Sequence, residues 1–245
     1  MTGRLGKYSL WQFRDFFMQH GIGIAIIGLL WGYTLLAPLR AAMNPQSAIP
    51  MSPGSPIWGI VMQITSAVVS VSVLIAMNGI VSSDRKNGYY RFLFSKPINR
   101  VLYYGQAFLV YMVGVLLIMA VLSTLLRTIL PSFNVYYFLL YAALVYIAMG
   151  GIGFFLSVAT RYDWLSLAAV WLGSRMLRAI YSGPRAGWKG KAVEILPPVH
   201  RLDDVANSLI GTGSAQASDV AWLLGYGLLC FALGLAVLRY GSLAD

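Results

Sequence analysis

Residues 84–100 read DRKNGYYRFLFSKPINR and lie between two long apolar runs, each of which can cross a bilayer. The stretch carries Arg85, Lys86, Arg91, Lys96 and Arg100, and no other short link in the chain is so charged. Positive charge beside a membrane end is retained on the cytoplasmic side, where anionic lipid attracts each Lys or Arg by roughly 1 kcal/mol. The link is therefore expected in the cytoplasm, with a membrane helix on either side of it.

Tyr89, Tyr90, Phe92, Leu93 and Phe94 place bulky apolar groups among these charges. A link that only had to stay wet has no use for them. Short amphipathic helices of this kind lie on the lipid surface or dock in a groove of a soluble partner. Pro97 pre-sets the backbone for a new helix, with Ser95 close to the capping position. On the residues alone, an ordinary positive-inside loop and a docking helix fit equally well.

An acidic residue after the second span, then a glycine, then Ser-x-Pro-x-x-Arg opening the third span resembles the permease subunits of ATP-binding-cassette exporters, the ABC-type-2 family. Here those positions are Asp84, Gly88, Ser95, Pro97 and Arg100. The family more often has Glu where this chain has Asp84, a change that keeps the charge. The resemblance implies that the link contains a coupling helix seated in a cleft of a separate ATPase subunit, with Tyr89, Tyr90, Arg91 and Leu93 among its contacts. It also implies two copies of that ATPase, which hold ATP and Mg, and a second permease chain, identical or homologous.

The chain has 245 residues, of which 58% are hydrophobic and 11% charged, and a mean hydropathy of +0.70. This composition is that of a polytopic membrane protein rather than a globular one. A net charge of +10 raises the question of nucleic acid, but Lys and Arg gather at the ends of apolar runs and not on one soluble face. Membrane lipid is the expected partner, and nucleic acid is not. The single cysteine, Cys230, rules out an internal disulfide, and His20 and His200 have no ligand spacing. The N-terminus lacks the early apolar core and small-residue cleavage site of a removable signal peptide.

Six membrane helices are expected, at about 21–39, 57–81, 101–126, 135–159, 164–180 and 220–238, in one domain of residues 21–245. Residues 1–20 form an amphipathic interfacial helix before them, with Leu10, Phe13, Phe16 and Phe17 on one side and Arg4, Lys7, Arg14, Asp15 and Gln19 largely on the other. It resembles the connecting helix of the family. Gly28 and Gly32 form a GxxxG pair, read first as a packing face. In the second span Gly59, Gln63, Ser66 and Ser70 recur at three- and four-residue spacing, and Asn78 lies near the same side. Such a stripe belongs against protein or water; it serves helix-to-helix hydrogen bonds or, on the resemblance, lines the substrate path. Tyr103 and Tyr104 are expected as interfacial anchors of the third span. Gly150, Gly151 and Gly153 suit close packing or a kink in the fourth.

The fifth span carries the difficulty. From Trp164, Arg175 falls roughly 16 Å along a helix and Arg178 about 21 Å. A central arginine costs about 2.5 to 3.5 kcal/mol even on a lenient insertion scale. These arginines must face protein, water or the outer interface, and no carboxylate lies within any expected span. Their partners must come from carbonyls, water, or Glu194, Asp203 and Asp204 of the following segment, residues 181–218. The resemblance implies that this segment is external and folds back partly into the membrane. Together with Gln63, Ser66 and Ser70, Arg175 and Arg178 are the candidate substrate-path residues.

A phosphate-binding loop needs GxxxxGK followed by Ser or Thr; the nearest match, at Gly190 and Lys191, has Arg185 at the first glycine position and Ala192 at the last. The chain is thus not expected to hydrolyse ATP, and no catalytic constellation or metal set is read in it. The expected function is the transmembrane subunit of an ABC exporter in a prokaryotic cytoplasmic membrane, multi-pass, with both termini inside. The alternative is an intramembrane lipid-modifying enzyme or lipid-binding membrane protein, with Arg175 and Arg178 holding a phosphate.

Overall fold

In hydrocarbon every backbone N–H and C=O must find its partner within the chain, so long apolar runs become helices. The computed structural model describes residues 2–43, 56–86, 99–129, 133–160, 163–181, 197 and 201–240. Within the expected coupling segment, Gly88, Tyr89, Tyr90, Arg91, Leu93, Ser95 and Pro97 lie outside the described residues, as do Glu194 and the side chain of Arg178. Among the described residues all regular structure is helical, without a strand.

The elements are α1 (Thr2–Phe16), a π-helical turn (Phe17–Gly21), α2 (Ile22–Met43), α3 (Pro56–Met77), α4 (Ser82–Lys86), α5 (Arg100–Ile129), α6 (Val135–Val145), a second π-helical turn (Tyr146–Gly150), α7 (Gly151–Ala159), α8 (Asp163–Tyr181), α9 (Arg201–Thr212) and α10 (Ala217–Tyr240). Five segments are long and apolar enough to cross a membrane: Tyr8–Leu35, Trp58–Asp84, Arg100–Thr128, Val135–Ala159 and Ala217–Tyr240. Five of the six expected spans fall on them. The remaining one, α8, is a helix of 19 residues, but Asp163, Arg175 and Arg178 keep its composition outside that set.

Local chemistry sets the boundaries. Asn134 caps α6, its side-chain oxygen accepting from the backbone N–H groups of Tyr136 at 3.0 Å and Tyr137 at 3.3 Å. After Met77 the chain turns through Gly79 at φ +82°, a left-handed conformation that a side chain would strain. That turn delivers α4, and Asp84 with it, back toward the first turns of α5.

The helices close around a core of Val69, Val73, Met77, Tyr104, Met119, Tyr141, Tyr146 and Phe154, all at most 1% exposed. Trp31 of α2 stacks on Phe138 of α6 at 5.6 Å and gives its indole N–H to Thr65 of α3 at 3.3 Å. α10 crosses the second π-helical turn and the start of α7 at Gly227 and Gly151, where a methyl group on Gly227 would overlap the backbone of Ile147 and Ala148 and one on Gly151 the backbone of Gly227. Of the glycines expected to pack or kink the fourth span, Gly151 and Gly153 are closely approached by neighbouring helices, and Gly150 ends the π-helical turn. Gly28 lies against Leu122 of α5, whereas nothing approaches Gly32, so half of the GxxxG pair packs within the chain.

The outward surface is apolar: Leu29, Leu30, Val121, Leu125, Leu229 and Leu233 are all exposed. A soluble monomer rarely shows so much contiguous hydrocarbon, and lipid is the solvent that accommodates it. The chain is a helical multi-pass membrane protein.

α1 runs into α2 through the π-helical turn, with the expected boundary at residue 20 falling inside that turn. Phe16 is buried beside Tyr111, in the space left by Gly114 of α5, while Leu10 and Trp11 on the same helix are exposed. Two polar contacts strap α1 to α5: Gln106 Nε2 donates to Ser9 Oγ at 2.6 Å, and Gln12 Nε2 to the carbonyl of Tyr103 at 3.4 Å.

Candidate functional site

Among the described residues, two polar clusters fall on the expected site residues. The first is built around Ser66 and Ser70 of α3. On a helix advancing 100° per residue, Gly59, Gln63, Ser66 and Ser70 fall within roughly 60° of one another, a narrow stripe. The stripe changes character along its length: Gly59 and Gln63 are exposed, whereas Ser66 and Ser70 are 1% and 0% exposed. Gln63 and Ser70 share nearly one azimuth and differ by about 10 Å along the axis. The bundle is therefore open at the Gln63 level and closed at the Ser70 level.

Closure at Ser66 comes from α9. Tyr141 of α6 donates its hydroxyl to Ser66 Oγ at 2.8 Å, and Ser66 donates onward to Asp203 Oδ1 at 2.6 Å. The other oxygen of Asp203 accepts from Arg175 Nη2 of α8 at 2.7 Å. One carboxylate thus joins α3, α6, α8 and α9. Its place in the first turn of α9 suits an anion, because the unpaired N–H groups there carry partial positive charge.

Depth explains why the pairing is needed. Tyr141 lies six residues into α6, roughly 9 Å along its axis, so the first turn of α9 reaches well below the end of the bundle. The other end of α9 returns to that end, where Gly213, at φ +73°, abuts the ring of Tyr137 in the first turn of α6. A lone charge at the depth of Tyr141 is costly, and Arg175 with Asp203 is neutral as a pair. A second pair, Arg201 Nη1 to Asp219 Oδ1 at 2.6 Å, ties the start of α9 to the start of α10, and the Arg201 guanidinium sits 5.9 Å from the Trp222 ring.

Of the two expected acidic partners for Arg175 among the described residues, Asp203 is in contact and Asp204 is exposed. Ser66 joins Arg175 through that carboxylate. Ser70, one turn further along α3, is fully buried and its hydroxyl has no hydrogen-bond partner. Gln63 stands apart from the cluster. Tyr141 is the member that sequence reasoning missed, since a tyrosine in an apolar run gives no sign of what its hydroxyl meets.

The second polar place lies where the expected coupling segment begins. Tyr104 donates its hydroxyl to Asp84 Oδ2 at 3.1 Å, and Tyr103 and Tyr104 meet edge to face at 5.2 Å. Both tyrosines are buried, 7% and 0% exposed, so they are packed in protein rather than placed as headgroup anchors. Asn99 and Arg100 open α5, with the Asn99 side chain accepting from the Val101 N–H at 3.0 Å. The two described ends of the link, Asp84 and Arg100, are thereby held at the first turns of α5. Through the carbonyl of Tyr103, the same turns hold α1.

Among the described residues no group of His, Cys, Asp and Glu could hold a metal ion. The chain matches no protein-family model, no curated protein and no solved structure.

Proposed function

We propose that this chain is the transmembrane subunit of an ABC exporter, moving a substrate with ATP hydrolysed by two separate nucleotide-binding subunits. The observation that carries the reading is the Asp84–Tyr104 bond, at the head of the charged, aromatic link that resembles an ABC-type-2 coupling helix. The bond fastens the first residue of the link to α5. Displacement of residues 84–100 moves α4 and α5 together, and α1 with them through Gln12 and Ser9.

The stripe on α3 supplies a path in this reading. It is open at Gln63 and closed at Ser66, where Asp203 in the first turn of α9 meets it, while Gly213 after the last turn of α9 lies beside Tyr137 near the start of α6. α8 completes six spans, its arginine neutralised by Asp203. The second half of the pathway comes from a second permease chain, identical or homologous. The membrane is the cytoplasmic membrane of a prokaryotic cell, with both termini and the 84–100 link inside.

The competing reading is an intramembrane enzyme acting on lipid. Ser66 is the hydroxyl nearest to a carboxylate, but it gives its hydrogen to an Asp203 already neutralised by Arg175, and it is closed from outside. The test is purification with the products of neighbouring genes. An ATPase subunit copurifies with the chain, and charged replacements of Tyr89, Tyr90 and Leu93 abolish its stimulation. Absence of any nucleotide-binding subunit, or lipid turnover by the lone chain in liposomes without ATP, overturns the exporter reading.

A further inference from the structure

Arg175 carries more donors than its pairing with Asp203 uses. Its Nη2 meets the carboxylate at 2.7 Å, while its Nε is buried without a hydrogen-bond partner. The guanidinium carbon sits 4.8 Å from the centroid of the Trp171 ring, and the indole Nε1 of Trp171 is also buried without a partner. Trp171 and Arg175 stand four residues apart on one face of α8. Two neighbouring buried N–H groups left unpaired in an apolar bundle are costly, and their simplest use is to receive oxygens that are absent from this closed state.

The geometry restricts which oxygens. A guanidinium holds an oxyanion best along an edge of two parallel N–H groups, and on Arg175 the Nε member of the Nε–Nη2 edge is unpaired. Asp203 makes a single bond to the guanidinium, at Nη2. With the indole N–H beside it, the edge presents more donors than one carboxylate takes up, and a phosphate offers three acceptor oxygens. Arg178, three residues further along α8, brings a second positive charge to the helix.

We propose that the Nε edge of Arg175 and the indole N–H of Trp171 form a binding site for a phosphate group, which Asp203 closes in the resting state and yields to when the ligand arrives. The ligand class is a phosphate-bearing amphiphile, its apolar part lying along the apolar surface of the bundle. Release of Asp203 also releases Ser66 and with it the first turn of α9 from α3. The inference rests on the exporter reading only for the claim that the bound amphiphile is the cargo.

The test uses the full chain in maltoside micelles, which contain no phosphate, without ATP or any partner. Inorganic phosphate, a short-chain phosphatidic acid and the matching diacylglycerol are the probes, with binding followed by native mass spectrometry. Phosphatidic acid binds at least about tenfold more tightly than diacylglycerol. Trp171→Phe keeps the ring under the guanidinium and loses the N–H, and it removes most of that difference. Asp203→Asn takes away the competing charge and tightens binding by about fivefold or more, the opposite of what a merely structural pair would give. Binding of inorganic phosphate as well identifies the phosphate alone as sufficient; binding of phosphatidic acid only identifies a headgroup held together with its chains. Equal binding of phosphatidic acid and diacylglycerol, or a Trp171→Phe variant that binds like the unaltered chain, overturns the site. Because no ATPase is present, a failed copurification sinks the exporter reading and leaves this site standing, and phosphate-blind binding does the reverse.

Discussion

Ser66 and Asp203 are 137 residues apart in sequence and 2.6 Å apart in space, the hydroxyl of a membrane helix giving its hydrogen to a carboxylate on a helix too short to span. The bond makes α9 a stopper in the stripe that α3 presents. It also sets an order of dependence: Tyr141 orients Ser66, Ser66 and Arg175 hold Asp203, and Asp203 holds the first turn of α9.

That order predicts unequal effects of mutation. Asp203→Ala leaves Arg175 without its charge partner and Ser66 without its acceptor. The side chains of the pair are 30% and 33% exposed, so the loss stays below that of a fully buried pair, at about 1–3 kcal/mol. Ser66→Ala costs less, about 1 kcal/mol, because Asp203 keeps Arg175. The double variant Arg175→Met, Asp203→Leu recovers part of the single-mutant loss, since no charge is then left unpaired. Thermal unfolding of the purified variants in one detergent measures all three, and a double variant worse than either single one refutes the pairing.

A different outcome is expected at the head of the coupling link. Tyr104→Phe removes the hydroxyl that holds Asp84 and leaves the aromatic packing intact, so stability falls by only about 1 kcal/mol. On the exporter reading coupling suffers more, because the Asp84 end of the link is no longer fixed to α5. In a complex with the proposed ATPase subunit, substrate-stimulated hydrolysis then drops several-fold while basal hydrolysis stays. Equal loss of basal and stimulated rates means that Tyr104 serves folding and not transmission.

What the sequence made legible follows physical period and cost. Ser66 and Ser70 stood out because polar groups at helical spacing in an apolar run need a reason. Arg175 required a partner because a central arginine is expensive, and the acids after α8 were the few available, Asp203 among them. The depth of Asp203 was hidden, since it is carried by a helix whose composition is that of a surface element. Gln63 shares its azimuth with Ser70, and only the neighbouring helices decide that one is exposed and the other closed. Tyr104 looked like a headgroup anchor because aromatic residues at a span's end usually are; its burial depends on the turn at Gly79 that brings Asp84 back to it.

The crossing of α7 and α10 predicts a sharp size limit. A methyl group at Gly227 meets the Ile147 carbonyl and the Ala148 backbone, which cannot swing aside as a side-chain tip does. Gly227→Ala therefore costs about 1–3 kcal/mol through forced separation of the helices. At Gly225, two residues away, an added Cβ meets nothing within 4 Å, and Gly225→Ala is neutral or slightly stabilising because alanine is the better helix former. Melting temperatures of the two variants, compared side by side, separate this steric effect from a general effect of alanine.

Orientation is open to a direct chemical test. Cys230 is the only cysteine and is buried, so Cys230→Ser gives a cysteine-free background with little repacking. Into it go single cysteines at Asn87, within the charged link, and at Ser218, in the first turn of α10. If positive charge holds the link inside, a membrane-impermeant maleimide added to intact cells labels the Ser218→Cys variant and labels Asn87→Cys only after the cells are opened. The basic residues make this a demanding test: on the proposed topology 10 of them lie inside and 8 outside, so charge totals alone barely favour one direction. The short links must then decide, as positive-inside counting over short loops requires. Labelling of Asn87→Cys in intact cells puts the link outside, out of reach of any cytosolic ATPase, and removes the basis of the proposed coupling.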